Sequence, residues 1–349
     1  MANEKRIGVL TGGGDCPGLN AAIRAVTKSA INEGYEVIGI HNGWEGLMEE
    51  DTEILDRDRT SGIIDRGGTI LGSSRTSPLQ IENGARRAFD TFDRLGLTAV
   101  VVLGGDGTLS VASKMFDMGM PLVGIPKTID NDIRGTDYTI GFQTAVEIAT
   151  QALDRIRTTA ESHHRVMLLE VMGRNAGWIA VYAGMANGAD DILIPEIPLD
   201  DKKVEDLCQM LMVRTSRGVK FSIIAVAEGT VLQGKTVAKE YVNTVGEIPR
   251  PKFGGVAVDL AEIIEKRTKL ETGVSSLGYI QRGGTPVAYD RNLATVFGVK
   301  AVTLIQEKRY GRMTALRGNR ITSVPLSKVA EGTKTVDMNT YKVAERFFG

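Results

Sequence analysis

The sequence predicts an α/β protein of two three-layer α/β/α domains, each with a mainly parallel sheet, and a cleft between the domains. Two observations lead to this fold class. Short apolar segments alternate with amphipathic segments along most of the chain, which is typical of strands that helices cover on both faces. The chain also has 349 residues, of which 42% are hydrophobic, and this length suits two domains better than one.

The N-terminal part of the chain predicts a repeated order of strand, loop and helix. The segment "RIGVLTGGG" is an apolar run closed by glycines, and "LNAAIRAVTKSAINEG" then has helical spacing up to Gly34. The elements that follow are the strand "YEVIGI", the helix "GARRAFDTFDRLGL", the strand "TAVVVLGG", the helix "TLSVASKMFDMG" and the strand "PLVGIPKTID". We place the first domain boundary near residue 141, where the pattern restarts.

The second part of the chain predicts the same alternation. Its helices are "TAVEIATQALDRIRTTAES", "AGWIAVYAGMANG", "VEDLCQMLMVRTS", "GVAVDLAEIIEKRT" and the long helix around "NLATVFGVKAVTLIQEK". Its strands are "HRVMLLEVMG", "DILIPE", "KFSIIAVAEG" and "GVSSLGYI".

Charge and cysteine content exclude several function classes. Lys and Arg number 42 and Asp and Glu 43, so a net charge of −1 gives no overall field for nucleic acid or anionic lipid. The two cysteines, Cys16 and Cys208, argue against a disulfide framework and a four-ligand zinc site. No run of about 18 apolar residues occurs. We therefore expect a cytoplasmic protein with neither a nucleic-acid nor a membrane partner.

Two glycine clusters lie where predicted strands lead into helices. "TGGGDCPGLN" contains Gly13 between two further glycines, and "GGDGTLS" contains Asp106. Such loops let the backbone approach a phosphate at a helix N-terminus, and an aspartate there suits a hard cation. Each cluster taken alone is equally compatible with a tight strand-to-helix turn. Neither cluster matches G-x-G-x-x-G or G-x-x-x-x-G-K-[ST], which argues against the phosphate loop of a dehydrogenase or of a P-loop kinase at these positions.

The segment "PKTIDND" adds groups that phosphate binding alone does not need. Asp130 and Asp132 are two residues apart, so in an extended segment both side chains leave on one face, near Lys127 and Thr128. A carboxylate can accept a hydroxyl proton, and a lysine can neutralise a transferring phosphoryl group. A turn with Asx capping is the alternative. Arginines beside glycines or strand ends favour the catalytic interpretation; they are Arg165, Arg174 and Arg282.

These motifs together resemble one family. "LTGGGDCPGLNAAIR", "GGTILGSSR", "GGDGT", "PKTIDNDIRGTDYTIGF", "EVMGRNAGW" and "IQRGG" are similar to 6-phosphofructokinase, which transfers a phosphoryl group to the 1-hydroxyl of fructose 6-phosphate in glycolysis. The likeness runs in the family's order from residue 6 to about residue 305. It implies an active-site cleft between the two domains and Mg²⁺ as cofactor.

The resemblance assigns roles to residues at matching positions. Asp130 matches the base and Arg174 the group that stabilises transferred charge, with Lys127 and Thr128 beside them. Asp106 matches the magnesium ligand. The donor-binding positions are Gly13, Arg75, Thr76, Gly107 and Thr108. The sugar-phosphate positions are Asp132, Arg165, Met172, Gly173, Glu228, Tyr279 and Arg282.

The resemblance also implies how the chain is divided and assembled. Residues 1–141 with about 281–331 form the expected donor (ATP and Mg²⁺) domain, and 142–280 with about 332–349 the expected sugar-phosphate domain. Arg165 matches a residue that reaches across a subunit interface, which implies a homodimer or homotetramer with shared active sites.

Two positions depart from the family pattern. Gly273 stands where members typically have an arginine, and Tyr279 where they have a histidine, and both of those residues commonly hold the 6-phosphate. Loss of one charged hydrogen bond costs about 1.5 to 3 kcal/mol, so weaker affinity or a different sugar phosphate is an open alternative.

Two residues give opposite indications about which phosphoryl donor the protein uses. Gly107 leaves room for the α-phosphate of ATP, whereas pyrophosphate users carry an aspartate there. Lys127 stands where pyrophosphate users have lysine. We favour ATP, because a missing side chain removes a steric and electrostatic block that a nearby lysine does not impose. A pyrophosphate-dependent transferase is the alternative, and a non-catalytic nucleotide sensor is disfavoured because it needs no base.

Overall fold

The computed structural model describes residues 5–236, 238–240, 246 and 251–349. In chain order its strands are β1 (Lys5–Gly12), β2 (Tyr35–Ile40), β3 (Thr52–Ile54), β4 (Leu97–Gly104), β5 (Leu122–Pro126), β6 (Val166–Val171), β7 (Asp191–Leu193), β8 (Ser222–Ala227), β9 (Val231–Leu232), β10 (Lys235–Thr236), β11 (Ala238–Glu240), β12 (Pro251–Phe253), β13 (Thr272–Ser276), β14 (Arg312–Arg317) and β15 (Arg320–Pro325).

The helices connect these strands and cover both faces of the sheets. They are α1 (Leu19–Asn32), α2 (Trp44–Glu49), α3 (Gly84–Arg94), α4 (Asp106–Asp117), α5 (Phe142–His163), α6 (Trp178–Asn187), α7 (Asp201–Ser216), α8 (Val256–Thr268), α9 (Ala288–Gln306) and α10 (Met338–Glu345). Two 3₁₀ helices span Gly278–Arg282 and Leu326–Glu331. Among the residues described, no helix is both long and apolar enough to cross a bilayer.

The large sheet has seven strands in the order β15-β14-β5-β4-β1-β2-β3. Neighbouring strands are parallel from β14 to β2, and the edge strands β3 and β15 are antiparallel to their neighbours. Because parallel strands end at the same edge, the loops after β1, β4 and β5 lie side by side.

The small sheet has four parallel strands in the order β13-β6-β8-β7. All of its strands lie between residues 166 and 276, whereas the large sheet takes its strands from residues 5–126 and 312–325. The mixed α/β class with mainly parallel sheets is therefore confirmed. The exact domain boundaries stay a prediction, with which this division of the strands is consistent.

Alternating side chains on the strands build three apolar layers. In the large sheet, Val100 and Val102 face helices α2, α3 and α4, while Val101 and Leu103 face α1 and α9. The small sheet likewise directs one face toward α5 and α6 and the other toward α7 and α8. The inner faces of the two sheets share one continuous cluster of buried residues. The side chains between the two sheets therefore form a single apolar core that joins the large-sheet and small-sheet halves of the protein.

Sequence-based assignments differ from the structure at several elements, and α2, β3 and α10 were not predicted. The predicted strand "GVSSLGYI" ends at Ser276, and Tyr279 lies beyond it in a 3₁₀ helix. The antiparallel hairpin β14–β15, around Gly318, was not predicted. Arg317 and Arg320 are exposed while Thr314 is buried, so polar and apolar residues do not alternate along these strands with burial.

Candidate active site

Loops from both sheets bring the motif residues together. The loops after β1, β4 and β5 carry the glycine clusters and the Lys127–Asp132 segment, and the loops after β6 and β8 carry Arg174 and Glu228. Charge interactions join the two sets, because Asp130 raises the pKa of Glu228 and Arg174 opposes the pKa rise of Asp132. The motif residues of the large-sheet half thus face those of the small-sheet half.

The first glycine loop requires glycine at Gly13. Gly13 has a φ of 83°, and an added Cβ would lie 3.3 Å from Thr108 Oγ1. Its amide donates to Ser74 O at 2.9 Å, and the Ser73 hydroxyl donates to Gly13 O at 2.6 Å. The loop after β1 is therefore held between the segment around residue 74 and the start of α4.

The donor-side residues Arg75 and Thr76 follow directly in that segment. Arg75 is exposed, and the Thr76 hydroxyl donates to Glu45 Oε2 at 3.0 Å. Thr76 is thus engaged with the first turn of α2, while the Arg75 side chain lies at the surface beside the glycine loop.

The second glycine cluster forms the start of α4. Gly105 precedes the helix, and Asp106, Gly107 and Thr108 make up its first turn. Asp106 is exposed and, within the described part of the chain, its carboxylate accepts only a long 3.4 Å hydrogen bond from the Ser110 hydroxyl. Gly107 and Thr108 are buried. The amides of this turn and the positive end of the helix dipole favour an anion here.

Asp106 suits a magnesium ion bound together with phosphate oxygens. Among the residues that the structure describes, no three His, Cys, Asp or Glu side chains form a group that could hold a metal. Mg²⁺ at phosphoryl-transfer sites needs no such group, since it keeps several waters and binds one or two carboxylates plus substrate phosphates. An accessible carboxylate at an anion-binding helix N-terminus fits that requirement.

Two cations contact the backbone of the first glycine loop. Lys127 is 1% exposed, and its ammonium donates to Gly14 O at 2.7 Å. The Arg282 guanidinium donates to Asp15 O at 3.1 Å and lies so close to Gly14 that a Cβ there would be 2.1 Å from Nη1. Arg282, expected at the sugar phosphate, thus contacts the donor-side loop in this chain.

The segment that carries Asp130 is a turn, so the expectation of an extended strand is wrong. The Thr128 hydroxyl accepts from the Asp130 amide and donates to Asp130 Oδ2, both at 3.2 Å. Asn131 has a φ of 53°, a left-handed conformation that asparagine tolerates. Both Asp130 and Asp132 nevertheless face the site, because the turn folds the chain back between them.

One oxygen of Asp130 is free to accept a proton. Asp130 is 3% exposed, and its Oδ1 atom has no hydrogen-bond partner among the described residues. Buried carboxylate oxygens are rarely left without a donor, so an unpartnered one at a site points to a group that arrives with the substrate.

The turn is held from behind by the segment before α5. The Asn131 side chain donates to Asp137 O at 3.2 Å and accepts from the Thr139 amide at 3.1 Å. Asp290 of α9 is fully buried and accepts from the amides of Gly141 and Thr144 at 2.9 and 2.7 Å, which caps α5. Asp290 carried no motif in the sequence and was missed as a structural support of the site.

Carboxylates from both halves crowd the site. Burial, followed by the charge of Asp130, raises the pKa of Asp132 to about 7, and Arg174 opposes that rise. Burial and Asp130 likewise raise the pKa of Glu228 to about 7. Near neutral pH both carboxyls are therefore partly protonated in the ligand-free protein, and a cationic or hydroxyl-bearing ligand would find acceptors there.

The loop after β6 places Arg174 through unusual backbone angles. Gly173 has a φ of 149° and Arg174 a φ of 55°. Glu228 Oε1 accepts from the amides of Gly173 and Arg174 at 3.3 and 3.1 Å. Met172 is half-buried and packs against the inner core. The loop is thus fixed to the end of β8, and Arg174 is directed to the carboxylates of the other half.

Two expected phosphate positions lie at the far end of the small sheet. Arg165 precedes β6, whereas Arg174 follows it, and a strand of six residues spans about 20 Å. Arg165 pairs with Glu271, and at the nearby Gly273 an added Cβ would lie 2.4 Å from Met167 Sδ, so the methionine side chain would have to move to admit one. Arg165 therefore does not join this chain's own cluster.

Tyr279 lies at the site end of β13. Its ring is 69% exposed on the 3₁₀ helix that also contains Arg282. The phosphate cluster expected from Arg165, Tyr279 and Arg282 is thus not formed within one chain.

Replacing either raised carboxyl should stabilise the ligand-free protein at neutral to alkaline pH. The folded-state pKa of Asp132, about 7, exceeds its ordinary value of 3.8, so the protonated form favours folding and this contribution is lost as pH rises. We expect the advantage of Asp132→Asn over the parent in Tm to grow from about pH 4 to about pH 7 and then level off. Glu228→Gln should behave likewise.

Thermal unfolding in metal-free buffer at pH 5 and pH 8 measures this effect. A change of 1 kcal/mol moves Tm by roughly 2 to 4 °C in large domains. Asp117→Asn, an exposed change at the far end of α4, serves as the control and should show no such pH dependence. An equal difference between variant and parent at both pH values would contradict the assignment.

Comparison with known proteins agrees with this arrangement. The family profile described as "Phosphofructokinase" matches residues 6–305. The chain is 49% identical over 348 residues to the pyrophosphate–fructose 6-phosphate 1-phosphotransferase of Streptomyces coelicolor, covering 99% of this chain and 100% of that protein. It is 48% identical over 342 residues to ATP-dependent 6-phosphofructokinase 3 of the same organism, covering 97% and 99%.

A solved structure gives the same result. The phosphofructokinase from Saccharomyces cerevisiae superposes with a TM-score of 0.82 at 33% identity, covering 99% of this chain and 47% of the yeast chain. This chain therefore spans about half the length of its yeast relative. The resemblance noted in the sequence is confirmed: the chain belongs to the phosphofructokinase family, whose enzymes transfer a phosphoryl group to an alcohol acceptor.

Proposed function

We propose that the protein phosphorylates fructose 6-phosphate to fructose 1,6-bisphosphate with ATP as donor, as a glycolytic step. Relatives of similar identity are named for both donors, so the choice rests on the site itself. The observation that carries it is Gly107, which puts no side chain after Asp106 in the first turn of α4. An aspartate there would set a second carboxylate against the α-phosphate.

The base in this proposal is Asp130. Its Oδ2 atom accepts from Thr128, while its buried Oδ1 atom has no partner among the described residues. Oδ1 is thus positioned to accept the proton of the sugar 1-hydroxyl as that oxygen attacks the terminal phosphorus. Attack and departure in line transfer the phosphoryl group, and the proton remains on Asp130 until solvent removes it.

Two cations would stabilise the transferred charge. Arg174 lies near enough to the carboxylates to lower the pKa of Asp132, and its planar guanidinium can bind two phosphoryl oxygens. Lys127 lies under the glycine loop, where its ammonium contacts Gly14 O. The two approach from different halves, so the phosphoryl group would be held between the domains.

Asp106 would hold the magnesium ion together with donor phosphate oxygens. When bound, Mg²⁺ neutralises charge on the donor and on the departing phosphate. The loops that would hold the rest of the donor are those of Gly13 and of Arg75 to Thr76, which contact each other through Ser73 and Ser74.

The sugar would bind against the small-sheet half. Met172, Gly173 and Glu228 lie in the loops after β6 and β8, and the charge of Arg174 in the first of these loops acts on Asp132. The phosphate contacts would come from Tyr279, Arg282 and, across a subunit interface, Arg165 of a second copy. With Gly273 in place of an arginine, a related sugar phosphate remains a second candidate for the acceptor.

Pyrophosphate is the second candidate donor, because Lys127 is the residue found at that position in pyrophosphate users. Its buried ammonium lies beside the glycine loop, where it could neutralise charge on a transferring phosphoryl group. The experiment therefore compares both donors directly.

Initial rates with saturating fructose 6-phosphate should be high with ATP and Mg²⁺ and low with pyrophosphate and Mg²⁺. In Gly107→Asp we expect the ATP rate to fall by about 10-fold or more, because the new carboxylate repels the α-phosphate. The pyrophosphate rate should fall less.

Gly107→Ala is the matched control, since it adds a side chain without charge. It should retain more ATP activity than Gly107→Asp if charge dominates. A pyrophosphate rate above the ATP rate in the parent enzyme would contradict the ATP proposal and favour a pyrophosphate-dependent phosphotransferase. If neither donor supports turnover of fructose 6-phosphate but another sugar phosphate is phosphorylated, the proposed acceptor is wrong.

A further inference from the structure

The segment after the second 3₁₀ helix runs between the two halves of the site. In this segment, residues 332–336, the Lys334 amide donates to Asp132 O at 2.8 Å. The Lys334 carbonyl accepts from the indole nitrogen of Trp178 at 2.8 Å. One residue thus contacts the Asp132 turn with its amide and the first residue of α6 with its carbonyl.

The side chain of Lys334 reinforces the contact with the turn. Its ammonium donates to Thr136 O at 2.9 Å and to Asp137 O at 2.8 Å, and it lies 5.2 Å from the centre of the Trp178 ring. Asp137 O also accepts from the Asn131 side chain. The ammonium and the Asn131 amide therefore converge on the carbonyl that closes the Asp130–Asp132 turn.

A second contact ties the same segment to the loop that carries Arg174. The Val336 amide donates to Glu196 Oε1 at 2.8 Å, and the Glu196 carboxylate accepts from the Gly177 amide at 3.1 Å. Gly177 precedes α6 and ends the loop that begins after β6. The segment is thus anchored to the turn of the base on one side and to the arginine loop on the other.

Burial disfavours the charged form of Lys334. Burial lowers the pKa of Lys334 to about 8, and the carboxylates of Asp137 and Asp132 counter part of that effect. A residue that only filled space between the halves would be apolar, because a buried ammonium is costly unless its donors are used. Here the ammonium, which has three N–H donors, binds the main-chain carbonyls of Thr136 and Asp137.

We propose that Lys334 is a positioning residue for the transfer reaction: its ammonium fixes the 131–137 segment, so that Asp130 and Asp132 meet the sugar while Arg174 faces them. This role rests on the proposed function of these three residues. The described hydrogen bonds of Lys334 all go to the 132–137 segment and to Trp178 and none to the donor loops, so its effect should fall on the acceptor side of the reaction.

Lys334→Met tests the ammonium alone, because the main-chain bonds to Asp132 and Trp178 survive the change. We expect kcat to fall by about 10- to 100-fold and KM for fructose 6-phosphate to rise, since small misplacements of reacting groups have effects of this size. KM for the donor should stay within about 2-fold. Lys334→Arg keeps a charged donor and should recover part of the loss. Lys342→Met, an exposed lysine of α10, is the matched control and should match the parent.

A double-mutant cycle separates positioning from general weakening. If Lys334 acts through Asp132, Lys334→Met should lower kcat much less in an Asp132→Asn background than in the parent. Full additivity, or a parent-like kcat in Lys334→Met, overturns the proposal. So does a loss that Lys334→Arg does not relieve. If Lys334→Met does not fold, Lys334→Gln is judged by the same criteria.

The assays use the donor that gives the faster parent turnover, which keeps the two failures distinct. A parent enzyme inactive with ATP and pyrophosphate refutes the proposed function and with it this role. An active parent whose Lys334→Met variant has unchanged kinetics refutes the role alone.

Discussion

Asp130→Asn should lower kcat by about 10³-fold, the largest loss that we expect from a single change in the site. The amide has nearly the same shape as the carboxylate, and its oxygen can still accept from Thr128. It cannot take a proton from the sugar hydroxyl, and general-base catalysis contributes about 10²- to 10⁴-fold. KM for fructose 6-phosphate should change little, because the missing interaction belongs to the transition state.

Steady-state rates at several sugar concentrations, with Tm as a check on folding, measure this result. Asp137→Asn is a demanding control, since Asp137 lies in the same segment but its carboxylate accepts from the Gly318 amide of the hairpin. Asp137→Asn should lower Tm, and its kcat should stay much closer to the parent value than that of Asp130→Asn. A kcat for Asp130→Asn within 10-fold of the parent would remove Asp130 from the role of base.

Asp106→Asn should lower kcat by about 10²-fold and shift the magnesium dependence to higher concentration. Asp106 is exposed, and among the residues that the structure describes its carboxylate accepts no hydrogen bond shorter than the 3.4 Å bond from Ser110, so it is available to a metal ion. An amide oxygen is a weaker ligand for a hard cation, and loss of metal-assisted charge neutralisation slows phosphoryl transfer.

Rates titrated with Mg²⁺ at saturating donor and sugar distinguish a metal ligand from a structural residue. Asp117→Asn at the other end of α4 removes the same charge from the same helix and should leave the titration unchanged. Partial recovery of Asp106→Asn at high Mg²⁺ supports the assignment. Unchanged half-saturation for Mg²⁺ would remove Asp106 from the role of metal ligand.

The parts of the site that sequence alone predicted are those set by local order along the chain. The glycine clusters follow β1 and β4 directly, and Lys127 to Asp132 follow β5, so the topology of a parallel sheet brings them to one edge. The alternation of apolar strands and helices gave the fold class for the same reason. Each of these features needs only a short window of sequence.

Features that depend on distant or unusual backbone contacts were not predictable. The left-handed Asn131 replaces the expected extended segment by a turn, because its side chain finds partners at Asp137 and Thr139. Lys334 is 198 residues from Thr136, and nothing around it in the sequence marks it as part of a site. Arg165 and Arg174 are close in sequence, yet β6 separates them by its full length.

The position of the β14–β15 hairpin has a consequence for synthesis on the ribosome. β14 covers the outer edge of β5. The amides of Leu316 and Gly318 in the hairpin donate to the side chains of Thr136 and Asp137. Until residues 312–325 have been made, β5 is an open edge strand with unpaired main-chain groups, which is prone to pair with other chains. A nascent chain that already contains every residue proposed for the transfer step therefore still exposes an aggregation-prone edge. During translation the risk of misassociation is concentrated in the interval between the synthesis of β5 and that of β14.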